Sequence, residues 1–282
     1  ISAINGQVQL NTNSGELENR GLDISLNYDI LRGKDFGLTV TAVTNYNKQE
    51  IIELPSEDGQ IVDAGLTGLR EGGRLNEYYV YRYAGVNPAN GNLLFLTADG
   101  DVTEDPDVDG DRVFLDANRS PDWNGSFSLN ANYKGFFATA QMNYNIGVDR
   151  FDFDYSGFVS PDNIGQFRTS KDLLRAWTPD NRITDIPALN APNRALGGGS
   201  DRFLRSADFL RMRFASVGYD FPTKLLKGTG FSRLRIFGNA ENLFTLTEWR
   251  GFDAETLNAS NVTQSRLYPT PRTFSLGFEF GF

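Results

Sequence analysis

Stretches of about ten residues in which large hydrophobes occupy every second position recur along the whole chain, and this pattern limits the possible folds more than any other feature. The last ten residues, TFSLGFEFGF, put Phe274, Leu276, Phe278, Phe280 and Phe282 on one side of a strand and Thr273, Ser275, Gly277, Glu279 and Gly281 on the other, because side chains alternate across the pleat. LDISLNYDI does the same with Leu22, Ile24, Leu26, Tyr28 and Ile30 against Asp23, Ser25, Asn27 and Asp29. FGLTVTAVTNYN follows after residues 31–35, with Phe36, Leu38, Val40, Ala42 and Tyr46 opposing Thr39, Thr41, Asn45 and Asn47. The short spacing predicts a hairpin. SFSLNANY and FFATAQMNYNI, separated by Lys134–Gly135, predict a second one. Residues 207–220 and 231–243 predict a third, and residues from about 271 to 282 a closing strand. In the third hairpin Leu210, Met212 and Phe214 have even parity whereas Ala215, Val217 and Tyr219 have odd parity, so a bulge is expected near Phe214.

The apolar side of such strands must be covered by a second layer, as in a soluble β-sandwich or β-helix, or by lipid, as in an outer-membrane barrel. Two features favour lipid. The polar sides carry Asn, Thr, Ser, Gln and Asp rather than the Lys and Glu of a solvated sheet, which suits a water-filled lumen, and the apolar sides of the regular strands carry no charge. An Arg or Lys on a lipid-facing side near the midplane costs about 2 to 4 kcal/mol. Connection lengths also alternate: short near 31–35, 134–135 and 221–230, long at 49–124, 149–206 and 244–270. Outer-membrane barrels sort short periplasmic turns from long extracellular loops in this way.

Composition excludes several function classes. The 282 residues contain no Cys and no His, which removes thiolate or histidine metal centres, cysteine nucleophiles and Ser-His-Asp triads. A net charge of -9 argues against a nucleic-acid surface. No apolar run is long enough for a transmembrane helix, and ISAINGQVQL lacks the basic and apolar regions of a signal peptide. The 22 Phe, 11 Tyr and 29 Gly suit aromatic girdles and many turns. About seven spanning strands are expected, or about nine if YYVYRY and LLFL within 78–96 also span. Both counts are odd, whereas single-chain bacterial barrels have an even number. The 282 residues are thus expected to be the C-terminal segment of one larger barrel domain, entered from the extracellular side.

Seven segments carry a resemblance in family order: ELENRGLDISLNYD (16–29), YRYAGVNPANGNLLF (81–95), DPDVDGDRVFLDANRSPDWNGSFSLNANYKGF (105–136), AWTPDNRITDIP (176–187), FLRSADFLRMRFASVGYDFP (203–222), FGNAENLFTLTEWRGFDAE (237–255) and YPTPRTFSLGFEFGF (268–282). Together they resemble the C-terminal third of SusC/RagA-family TonB-dependent outer-membrane transporters of the Bacteroidetes. The resemblance implies an all-β, antiparallel transmembrane barrel of about 22 strands with an N-terminal plug, energy from TonB, and an SusD-like surface lipoprotein as a lid. Plug and TonB-contacting segment have no counterpart in these residues.

Several candidate sites stand out. DPDVDGDRVFLD has the spacing of a calcium loop, with Asp105, Asp107 and Asp109 at positions 1, 3 and 5, Gly110 at 6, Asp111 at 7 and Asp116 at 12. No amphipathic helix follows, so the expectation is a Ca²⁺-clipped loop or a solvated acidic loop. Trp123, Trp177 and Trp249 lie in or beside long loops, where an indole can stack on a sugar ring or an apolar peptide side chain, touch the lid, or simply pack a loop or girdle. KDLLRAW (171–177) predicts a short helix with Leu173, Leu174 and Trp177 on one side. Asp23, Asp29, Glu241 and Glu279 belong to the lumen face, and ALGGGSDR (195–202) reads as a flexible loop rather than a phosphate loop. The leading expectation is an outer-membrane importer of oligosaccharides or peptides, with outer-membrane lipid around it. A barrel serving secretion or surface interaction without import is the alternative, and a soluble adhesin would need no detergent. An enzyme is not expected, since no Asp/Glu dyad clusters at one strand end.

Overall fold

Turn chemistry sets the register of the sheet. In the computed structural model, which describes residues 15–62, 65–108, 110–255 and 268–282, Lys134 and Gly135 both have positive φ (47° and 95°), the geometry of a two-residue turn whose twist matches its strands. That turn joins two of sixteen strands. In chain order these are β1 (Glu16–Arg32), β2 (Phe36–Glu53), β3 (Gln60–Val62), β4 (Thr67–Arg70), β5 (Glu77–Val86), β6 (Leu93–Leu96), β7 (Val102–Thr103) and β8 (Arg112–Asn118). They continue with β9 (Trp123–Tyr133), β10 (Phe136–Ile146), β11 (Asp149–Phe151), β12 (Leu204–Ser206), β13 (Phe209–Asp220), β14 (Arg233–Glu241), β15 (Thr245–Thr247) and β16 (Thr273–Gly281).

Seven long strands form one antiparallel wall in the order β1-β2-β9-β10-β13-β14-β16, with β15 extending it beside β13. The three predicted hairpins and the closing strand are all present. The expected bulge falls at Arg213: Gln141 pairs with Phe214 but Met142 pairs with Met212, so one extra residue switches the parity of β13. The alternative of nine spanning strands does not hold. YYVYRY and LLFL lie in β5 and β6 of a separate six-stranded sheet. Tyr78, Tyr79, Val80 and Tyr81 are buried in succession, and a strand covered on both faces belongs in a protein core rather than against lipid.

The register lines residues into rows across the wall. On the apolar face Phe36, Tyr133, Phe136, Tyr219, Ile236 and Phe278 form one row, with Phe136 and Tyr219 rings 4.6 Å apart. Ten residue steps up β9, Trp123 pairs with Tyr46 on one side and Ile146 on the other. At about 3.4 Å per residue and a tilt of about 40°, those steps rise about 26 Å, against an apolar band about 25 Å tall in outer-membrane barrels. Between the two rows the outward positions of the seven strands hold no Asp, Glu, Lys or Arg. They are also uncovered: Phe274 and Leu276 are 68% and 70% exposed, which excludes a sandwich partner among the described residues.

The opposite face alternates small and large. One row reads Gly37, Asn132, Phe137, Gly218, Phe237 and Gly277 across six strands. A Cβ at Gly277 would lie 2.3 Å from the Phe237 ring, and one at Gly218 2.5 Å from the Phe137 ring. Each phenylalanine thus lies flat over a neighbouring glycine, a pairing that shields backbone and holds register. Above the wall, β3–β8 and the 149–206 segment build a loop body. Its core joins Tyr78 to Phe151, Val159, Leu173, Ala176, Ile186 and Phe203.

Two expectations about this segment need correction. KDLLRAW does form a short helix, of 3-10 type, over Lys171–Arg175, but its leucines do not share a side: Leu173 is buried while Leu174 is 89% exposed. ALGGGSDR is not a flexible loop. Its two 3-10 turns hold Gly197 and Ser200 inside the body, and Ser200 bridges to Tyr81 of β5.

Replacing Gly277 with Leu is expected to push Phe237 off the row and cost about 1 to 3 kcal/mol, the usual range for overpacking. Adding Phe237→Ala should recover part of that loss. Denaturant unfolding of the complete protein in detergent micelles measures both, and a single variant as stable as the parent would contradict the pairing.

Candidate functional site

A cluster of charges fastens the loops to the rim of the wall. Arg211, on the inner face of β13, is buried together with the Asp253 side chain it pairs with; it also pairs with the half-buried Glu255 at 2.9 Å and donates to the Thr245 hydroxyl at 3.0 Å. The bulge aims Arg213 inward as well, where it meets the same Glu255. From the base of the 149–206 segment, Arg150 donates to the Ala254 carbonyl. Burial alone would raise the Asp253 pKa. The Arg211 side chain and the amides of Glu255 and Thr270 outweigh it, and the carboxyl is held well below the usual range. The sequence signal for this latch is two arginines at i and i+2 within β13, at the loop end of the strand.

The three tryptophans go to three separate places. Trp249 is buried with Val148, Ala207, Phe209 and Ala254, directly beside the latch. Trp177 is half-buried in the loop body, donating to the Pro88 carbonyl at 3.2 Å. Its ring lies over Gly91, whose positive φ and missing side chain make the room. Trp123 sits on the outer face of the wall, its ring 4.8 Å from Tyr46, at girdle height.

The acidic turn is closed by its own carboxylates. Asp111 accepts from the Ala98 amide at 3.0 Å and the Asp107 amide at 2.8 Å; Asp105 donates its amide to the Thr103 hydroxyl. Asp116 is carried away into β8, and Asp109 lies outside the described residues. Among the described residues no three acidic side chains come together as a metal cage. Next to this turn Glu104 accepts from Asn87, Asn90 and Asn92 at 2.5, 2.8 and 2.5 Å. Those three side-chain amides lower its pKa. On the lumen face Asp29 bonds Arg32 and Thr39, Asp23 bonds Asn45, and Glu279 pairs with Arg233. The loop body itself presents Ile164, Phe167, Leu174, Ile183 and Leu189, all exposed.

Arg211→Ala should cost about 3 to 5 kcal/mol locally, because it leaves Asp253 buried without its cation. Limited proteolysis of the complete protein is expected to cut within 244–255 far faster than in the parent. Arg213→Ala, on the exposed side of the cluster, should change the rate much less.

No profile of a known protein family matches the chain, but individual relatives match along its whole length. The TonB-dependent receptor P3 of Formosa agariphila is 27% identical over 100% of this chain and 30% of its own length. The TonB-dependent receptor SusC of Bacteroides thetaiotaomicron is 26% identical over 99% of this chain and 28% of its own. These relatives are receptors, not enzymes. Among solved structures, the RagAB peptide importer in its closed-closed state matches with a TM-score of 0.85 and 29% identity, covering 100% of this chain and 31% of that one. Its open-open state matches with a TM-score of 0.86 at 29% identity, over 100% of this chain and 30% of that one. The chain spans about a third of the length of these relatives. In sequence along its length and in fold, the chain is similar to part of these TonB-dependent receptors and of the RagAB importer.

Proposed function

We propose that these residues form the C-terminal part of the wall, and several outer loops, of an outer-membrane importer driven through TonB. The observation that carries the proposal is the uncharged outward band, about 26 Å tall between two aromatic rows, backed by a face of Asn, Thr, Ser and Gln. A band of that height is covered by lipid, and a polar inner face lines a path for hydrated cargo. The relatives that share the whole chain support energised import rather than passive leakage.

The cargo class in this proposal is oligosaccharide or peptide. Support for peptide comes from the solved importer of that cargo, at 29% identity. An SusD-like surface lipoprotein is the proposed partner on the outside. The exposed hydrophobes of the 149–206 segment support it: five large apolar side chains on one loop body suit a protein interface better than open water. TonB is engaged by regions outside these residues. Calcium has no part in the proposal, since Asp111 already spends its carboxylate on two backbone amides.

Two experiments test this. Leu129→Arg on the outward face should impair membrane insertion, at a cost of about 2 to 4 kcal/mol, while Asn130→Arg on the inward face should leave assembly intact. Surface labelling and heat-modifiable gel mobility read the outcome, and equal damage at both positions would refute the assigned lipid side. For function, cells carrying the complete protein are given labelled oligosaccharide and peptide pools with and without a proton-motive force. Energy-dependent uptake that vanishes on deletion supports import. Unchanged uptake, with surface protein complexes lost, would instead identify a barrel that serves protein interaction.

A further inference from the structure

Asparagine followed by glycine is the dipeptide that loses its side-chain amide most easily, because the glycine nitrogen has no side chain beside it to hinder attack on the asparagine. Among the described residues it occurs twice, at Asn90–Gly91 in the turn between β5 and β6 and at Asn124–Gly125 inside β9. In the first, both residues are dictated by their surroundings. Gly91 has a φ of 81°, and a Cβ on it would lie 2.7 Å from the Trp177 ring and from the Ala188 methyl, so no larger residue fits. Asn90 accepts the Asn92 amide at 3.0 Å and donates to Glu104 at 2.8 Å. With Asn87 and Asn92 it completes the three amides that surround this one carboxylate.

The same contacts block the reaction. Cyclisation requires the Gly91 nitrogen to reach the Asn90 side-chain carbonyl carbon, but that N–H is spent on the Asn87 carbonyl at 2.8 Å, and the Asn90 amide is held at both its oxygen and its nitrogen. Only an opened turn reacts, and Asn90 is exposed, where local opening is least costly. In the open turn the Gly91 nitrogen attacks, ammonia leaves and a succinimide ring closes. Water then opens the ring at one carbonyl to give Asp, or at the other to give isoaspartate with an extra carbon in the main chain. Either product brings a second carboxylate to the place where the Asn90 amide met Glu104. Two carboxylates sharing one site repel each other and cannot both ionise at ordinary cost, so the turn no longer closes as before.

We propose that Asn90 is a site of spontaneous, irreversible deamidation guarded by the Glu104 carboxylate, and that its conversion frees the turn from the 176–193 stretch. The tie between the two is direct. The Gly91 carbonyl accepts the Ala188 amide at 2.9 Å, and the Asn193 side chain accepts the Leu93 amide and donates to the Glu104 carbonyl. Ile183 and Leu189, both exposed, lie on the stretch that this tie holds. The chemistry is independent of cargo and partner; only its consequence for a partner seated on those side chains rests on the function proposed above.

The test stores the complete protein in detergent micelles at mildly alkaline pH and follows Asn90 by peptide mass mapping that separates amide, Asp and isoaspartate forms. No cargo or partner is present, so the outcome is separate from that of the uptake experiment. Conversion in the folded protein is expected to be slower than in the guanidinium-unfolded chain by about tenfold or more, since the turn reacts only while open. Glu104→Gln, which leaves a single neutral acceptor oxygen for three amides, should move the Asn90 rate several-fold toward the unfolded one. Asn124, the same dipeptide held in the β9 ladders, should keep its parental rate in that variant. Hydrogen exchange over 176–193 should rise in Asn90→Asp and stay near the parent's in Asn90→Ser, which loses the amide without adding a charge. Equal Asn90 rates in folded and unfolded protein, or an unchanged rate in Glu104→Gln, would overturn the guard. Parental exchange in Asn90→Asp would overturn the release.

Discussion

In hydrocarbon a backbone N–H or C=O has no water to turn to, so each must find a partner within the wall. The rest of this structure follows from that requirement. The seven strands satisfy one another in unbroken antiparallel ladders, and only the outer edges of β1 and β16 lack neighbours among the described residues. A wall of this kind must be continued by further strands until it closes, because open edges are not tolerated in lipid. The same constraint explains why turns at one end are tight. A two-residue turn at Lys134–Gly135 keeps the ladder paired almost to its last residue.

Once the ladders are fixed, each strand has one set of side chains for lipid and one for the interior, and the two sets answer to different rules. Lipid asks only that a side chain be uncharged, so Leu, Ala, Val and Phe interchange freely on that face. The interior is more exacting. Where Phe137 and Phe237 lie over Gly218 and Gly277, volume on one strand is set by absence on the next, and a change on either must be answered by its neighbour. Glycine here is a packing element, since none of these positions requires a positive φ.

The wall was therefore legible in the sequence. Period-2 alternation identified all seven spanning strands, and the parity switch in FLRMRFASV located the Arg213 bulge to within a residue. The loop body was much less so. EYYVYRY is apolar on both faces, a pattern that a buried strand in a small sheet shares with a spanning one, and only the covering loop decides between them. The same holds for the tryptophans. Nothing in the residues around Trp249 says that its indole faces Val148 and Ala207 from distant parts of the chain, because that contact is set by the latch of Arg211 with Asp253, which joins positions forty-two apart. The acidic repeat is ambiguous for a related reason. Carboxylates at calcium-loop spacing also suit a turn that caps its own amides, as Asp111 does.

The latch also explains how the loops are seated on the wall. The loop body has its own core and its own six-stranded sheet, and it is joined to the wall by backbone hydrogen bonds between Ile51 and Gly72 and Gly73 as well as by side chains. On the 244–255 side three arginines, Arg211 and Arg213 from the wall and Arg150 from the 149–206 segment, converge on the Asp253–Glu255 stretch. Buried pairs of this kind add little net stability but strongly penalise any arrangement that separates them. They specify one seating of the cap rather than hold it tightly. Selectivity can therefore evolve in the loop surface, with its exposed Phe167, Leu174 and Ile183, while the wall beneath keeps the same pattern of ladders and rows.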